Sequence, residues 1–107
     1  MSNTERITRL KTLLADTPDD SFLLHALALE HVKLGEDAAA RILFEQLLAA
    51  NPSYVGSYYH LAKLLERCEM YVEAAKVYAQ GLEKALHGND RHAASELRQA
   101  MEELEDR

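Results

Sequence analysis

The strongest constraint on this chain is an internal period. Pro18 and Pro52 lie 34 residues apart, and the same offset carries Leu13-Leu14-Ala15 onto Leu47-Leu48-Ala49 and Leu27-Ala28 onto Leu61-Ala62. It also carries Ala40 onto Ala74, Gln46 onto Gln80 and Leu48 onto Leu82, while Phe44 falls on Tyr78. A unit this short cannot bury its apolar face alone, so successive units must stack. Within each unit the apolar residues recur at three and four positions, and no segment alternates as a strand would. The expectation is an all-α chain.

Four breaks divide it: Asp16-Thr17-Pro18-Asp19-Asp20, Gly35, Asn51-Pro52-Ser53 and His87-Gly88-Asn89-Asp90. Proline and the residue before it resist helix, and glycine tolerates the left-handed conformation at a helix end. The spacing predicts helices over 4–15, 21–34, 37–50, 54–67, 71–86 and 90–106. Ser2 with Glu5 forms a capping box for the first. Asp19 or Asp20 caps the second, and Asn89 or Asp90 the sixth. Between the fourth and fifth helices only Cys68-Glu69-Met70 marks a boundary, with neither glycine nor proline to fix it.

A 34-residue helix–turn–helix period is the spacing of tetratricopeptide repeats, and the chain resembles that family. With Ser21 as the first position, the bulky fourth position is Leu24 and then Tyr58, and the pair at seven and eight is Leu27-Ala28 and then Leu61-Ala62. The small residue at twenty is Ala40 and then Ala74, and the aromatic at twenty-four is Phe44 and then Tyr78. Departures are His31 and Leu65 where an aromatic is usual, Leu47 where a small residue is usual, Glu69 where glycine is usual, and Leu86 where the repeat ends in proline. The resemblance implies one domain over 1–107, a short right-handed α-solenoid of antiparallel helix pairs. It would comprise a half repeat at 4–15, full repeats at 21–52 and 55–86, and a capping helix at 90–106.

In this family the first helix of each pair lines a concave groove. The resemblance places Phe22, His25, Leu29, Val32 and Lys33, and then Tyr59, His60, Lys63 and Arg67, on that surface. It implies a non-catalytic adaptor that binds a protein or peptide. The second helix is apolar almost all round, which calls for cover on every side. Either the chain's own neighbouring helices cover Phe22, Leu29 and Val32, or a partner does. Tyr59, Lys63 and Arg67 add an aromatic and two cations, so a ligand with an apolar segment followed by a carboxylate would suit both walls. A well-known groove of the family clamps chaperone-tail carboxylates with lysine and asparagine at positions five and nine and asparagine at six of the next repeat. His25, Leu29 and His60 stand there, so that function is not implied. Self-association through the second helix, giving a homodimer or a subunit of a larger assembly, is the alternative.

Composition narrows the remaining classes. A net charge of -6 disfavours phosphate backbones, so no nucleic-acid partner is expected. No stretch is apolar enough to span a membrane, no leader precedes the first helix, and the single Cys68 forms no internal disulfide. A cytoplasmic location and no membrane partner are the expectation. The five histidines lack metal-ligand spacing, and no phosphate loop or nucleophile–base motif is present. No catalytic residue, cofactor or metal is therefore expected. His31 is expected to be partly buried and hydrogen-bonded, and Glu102, Glu103, Glu105 and Asp106 to form a solvated helix end.

Overall fold

The computed structural model describes residues 2–107, and among them every regular element is helical. In chain order these are α1 (Asn3–Asp16), α2 (Ser21–Lys33), α3 (Asp37–Ala50), α4 (Val55–Arg67), α5 (Tyr71–His87) and α6 (Arg91–Glu105). The chain divides into two compact units, Met1–Asn51 and Pro52–Arg107.

Local chemistry sets the helix ends. The Glu5 amide donates to Ser2 Oγ at 3.2 Å, and that hydroxyl donates to the Glu5 carboxylate, which makes the expected capping box. Asp20 accepts from the Leu23 amide at 2.9 Å, and Asp90 accepts from the Ala93 amide at 3.0 Å. Each satisfies a donor that the first helical turn leaves without a partner.

Three helices close in the same way. Gly35, Glu69 and Asn89 adopt φ of 74°, 59° and 57°. After each of them the next amide reaches back five residues: Glu36 to the His31 carbonyl, Met70 to Leu65, and Asp90 to Ala85. That double-bonded left-handed stop satisfies the last carbonyls. It explains how α4 ends at a boundary without glycine: Glu69 takes the left-handed conformation itself.

In the first unit, α2 packs against both α1 and α3. Its core is Leu10 and Leu14 of α1, Leu24, Leu27 and Ala28 of α2, and Ala40, Phe44 and Leu47 of α3. Alanine at 28 and 40 lets the helix backbones approach, and Phe44 fills the space beside them. In the second unit, α5 packs between α4 and α6. Its core is Tyr58, Leu61, Ala62, Leu64 and Leu65, with Ala74, Tyr78 and Ala85, and with Ala94, Leu97, Ala100 and Leu104 of α6. Gly81 is needed at the crossing of α4 and α5. A Cβ there would lie 2.6 Å from the Tyr58 Cβ.

Candidate functional site

The face that the sequence assigns to recognition falls into two parts, one in each unit. On α2, Phe22, His25, Leu29 and Val32 recur at helical spacing along one side. Phe22 is 69% exposed, while Leu29 and Val32 are half-buried. The apolar surplus of α2 is thus only partly covered, and its N-terminal phenylalanine stays open. His25 sits edge-on to the Phe44 ring at 5.8 Å between centroids, so it packs on its own helix pair.

Lys33 has a structural partner. Its ammonium lies 2.9 Å from Glu30, whose carboxylate also lies 3.4 Å from the Arg6 guanidinium of α1. Glu30 is only 3% exposed. The Lys33 hydrogen bond, aided by the charges of Lys33 and Arg6, holds its carboxyl below the usual range against the opposing effect of burial. This triad ties α1 to α2, and the sequence reading did not identify it. Its Arg6–Glu30 arm spans 24 residues, beyond any local spacing rule.

On α4, Tyr59, His60 and Lys63 are half-buried and Arg67 is exposed. The Lys63 ammonium lies 5.6 Å from the Tyr59 ring centroid and 3.7 Å from Glu66. Glu66 in turn accepts from the buried Tyr78 hydroxyl. Burial and that carboxylate push the Tyr78 phenol well above its ordinary range. The Lys63 charge is therefore largely answered inside its own unit. Burial lowers the His60 pKa, and the Glu96 charge opposes that shift.

The sequence reading treated α6 as a cap with a solvated acidic back. Glu102, Glu103, Glu105 and Asp106 are indeed exposed. Yet Glu96, Gln99 and Glu103, on one side of α6, border a cavity of about 120 Å³ together with Tyr59 and Ala100. The lysine of the wall expected to attract a carboxylate lies 3.7 Å from Glu66, and acidic side chains of α6 border Tyr59. The signal was present as the 96, 99, 103 spacing beside the Ala94, Leu97 and Leu104 stripe. The direction in which that face points depends on how α6 packs.

The remaining histidines and the cysteine do not converge on a metal. Among the described residues no group of three or more His, Cys, Asp or Glu is placed to hold one. His31 meets its expectation: its side chain is 13% exposed, with Nδ1 2.8 Å from Glu36. Cys68 is exposed at the end of α4, and His92 lies 3.4 Å from Glu96. Among the described residues no helix is long and apolar enough to cross a membrane.

No protein-family profile matches the chain, and no curated protein sequence does. Solved structures do. A tetratricopeptide repeat domain protein from Salinibacter ruber is 43% identical, with a TM-score of 0.80, over 83% of this chain and 90% of that one. The chain belongs to the tetratricopeptide repeat family. The fold is shared more widely. The TPR2B domain of yeast Sti1, solved as a pHsp70 complex, matches at 17% identity with a TM-score of 0.86, over 94% of this chain and 80% of that one. The first such domain of Spaghetti, bound to an HSP90 peptide, matches at 24% identity with a TM-score of 0.76, over 95% and 79%.

Proposed function

We propose that this tetratricopeptide repeat protein is a non-catalytic module that holds a protein or peptide through the outward faces of α2 and α4. The observation that carries the reading is Phe22. A phenylalanine left 69% exposed contributes little to its own core, and it continues a line of half-buried apolar side chains, Leu29 and Val32. Exposed apolar surface of this kind is characteristic of recognition.

The two repeats add support. Two neighbouring buried positions recur unchanged, Leu27 with Leu61 and Ala28 with Ala62. Outward positions do not: Phe22 pairs with Gly56, His25 with Tyr59, Leu29 with Lys63 and Val32 with Glu66. The similar folds of Sti1 and Spaghetti were solved with pHsp70 and with an HSP90 peptide, which supports a polypeptide-binding reading. The clamp for chaperone-tail carboxylates is not part of the proposal, since His25, Leu29 and His60 occupy its positions.

The test is recovery of a partner from the source cell with the wild-type chain and with the Leu29→Glu, Lys63→Glu double variant. A partner retained by the wild type and lost by the variant is the expected result. Equal recovery by both would remove these faces from the assignment. Exposed Leu13 and Leu34 add to the apolar surface of the first unit, so a second copy is the competing occupant. Sedimentation over a wide concentration range separates the two readings. Reversible dimerisation lost in Phe22→Ser would assign the surface to self-association.

A further inference from the structure

Helix α1 is held differently from the rest of its unit. It packs on α2 through Leu10 and Leu14, with Ile7 half-buried on the same stripe. Leu10 and Leu14 each keep 9% of their surface exposed, whereas Ala40, Phe44 and Leu47 of α3 keep none, and Leu13 is left 47% exposed. The remaining tie is ionic, from Arg6 to the buried Glu30. Helical spacing puts Leu23, Ala26 and Leu27 on the same side of α2 as Glu30, so the seat of α1 is apolar with one carboxylate. A 14-residue helix has little stability by itself, so α1 depends on this seat and opens more readily than α2 and α3 part. Its link to α2, Thr17-Pro18-Asp19-Asp20, is exposed throughout. Pro18 keeps the two helices from merging, because its ring would meet the Leu14 carbonyl in a continuous helix.

We propose that this seat is exchangeable and takes α1 of a second copy, giving a dimer in which each chain docks Arg6, Leu10 and Leu14 on the Glu30 side of the other's α2. The buried carboxylate selects the occupant: a helix seated there must bring a cation four residues before one leucine and eight before another. A second copy carries that pattern at the same spacing and remakes every contact of the closed form. Closed and exchanged forms differ only in the link and in the cost of association, so protein concentration decides between them. This contact uses neither Phe22 nor the α4 face and stands apart from the polypeptide-binding reading.

Complementary charge variants test the exchange. Arg6→Glu sets a second carboxylate against Glu30, and Glu30→Arg sets a third cation beside Arg6 and Lys33, so neither closed chain pairs its charges. In a mixture, each α1 meets the opposite charge on the other chain. Each variant alone should sediment as a monomer, and the equimolar mixture as a dimer at least about tenfold tighter than either variant's self-association. Phe22→Ser in both chains should leave that dimer intact. A monomeric mixture, or a dimer lost with Phe22→Ser, would overturn the exchange. Circular dichroism checks that α2 and α3 stay helical. If either variant fails to fold, the wild-type chain decides: α1 amides should exchange hydrogen as a unit, about tenfold or more faster than those of α2 and α3. The wild type should also dimerise at high concentration with or without Phe22→Ser. Equal protection of α1, α2 and α3, or a strict monomer, would overturn the proposal.

Discussion

At the crossing of α4 and α5 a tyrosine meets a glycine, while the equivalent positions of α2 and α3 hold two leucines. Tyr58 and Gly81 correspond through the repeat to Leu24 and Leu47, and all four are buried. The same space is filled either by one large side chain against none or by two of medium size. Further along, the second pair places the Tyr78 hydroxyl against Glu66, where the first pair has Phe44 and Val32. A third position reverses the sense. Glu30 is buried and charged in the first unit, and its counterpart Leu64 is buried and apolar in the second. The fold therefore constrains total volume and polar satisfaction at each crossing, and it leaves open which helix supplies them.

The sharpest way to break this comparison is to mix the two solutions. Gly81→Leu places a full side chain where even a Cβ comes within 2.6 Å of Tyr58. It should destabilise the protein by about 3 kcal/mol, as overpacking of a tight core does. Adding Tyr58→Leu recreates the Leu–Leu arrangement of the first pair and should recover most of that loss, although the 2.7 Å bond from the Tyr58 hydroxyl to the Pro52 carbonyl goes with it. Denaturant melts of the single and double variants decide the matter. A double variant no more stable than Gly81→Leu would refute the volume exchange.

Tyr78→Phe should cost about 1.5 kcal/mol, because it leaves the half-buried Glu66 without its hydroxyl donor. Combining it with Glu66→Val imports the first-pair chemistry and should return stability to near the wild type. A double-mutant cycle with no coupling between the two sites would show that the hydrogen bond contributes nothing.

Glu30→Leu makes the reverse transfer. At neutral pH the change should be below about 1 kcal/mol, since Lys33 and Arg6 are exposed enough to be solvated without Glu30, and a leucine suits the buried position as Leu64 does. The acid side is more informative. The Glu30 carboxyl titrates lower in the folded chain than in the unfolded one. Its contribution is therefore complete above the unfolded carboxylate pKa and disappears as pH falls through the folded value. Thermal melts across that window should show a shallower acid loss in Glu30→Leu than in the wild type, and parallel curves would count against the triad.

The smallest effect is expected at the turns. Glu69 holds φ at 59° where Gly35 holds 74° in the first unit. Glu69→Gly should stabilise by about 0.5 kcal/mol, relief of left-handed strain outweighing the added freedom of the unfolded chain. Gly35→Ala should destabilise by about 1 kcal/mol. A shift of the same sign for both variants in thermal melts would mean that the two turns are not equivalent.

What the sequence determined by itself was local or periodic. The 34-residue offset, the Ser2, Asp20 and Asp90 caps and the Gly35 stop placed six helices within a residue or two of their ends. Those signals lie within one turn of the groups they satisfy, so no tertiary information was needed. The outward positions of α2 and α4 were legible for a related reason: a fixed rise and rotation per residue assigns each side chain to a face. Tertiary structure decided which charges were answered. Lys33 was taken up by Glu30 with Arg6, Lys63 by Glu66, and Tyr59 gained an acidic neighbour in α6. These partnerships join side chains on different helices or fix one rotamer among several, and both depend on helix phase and separation set only when the pairs pack. The sequence thus supplied the faces, and packing determined the charge that each presents.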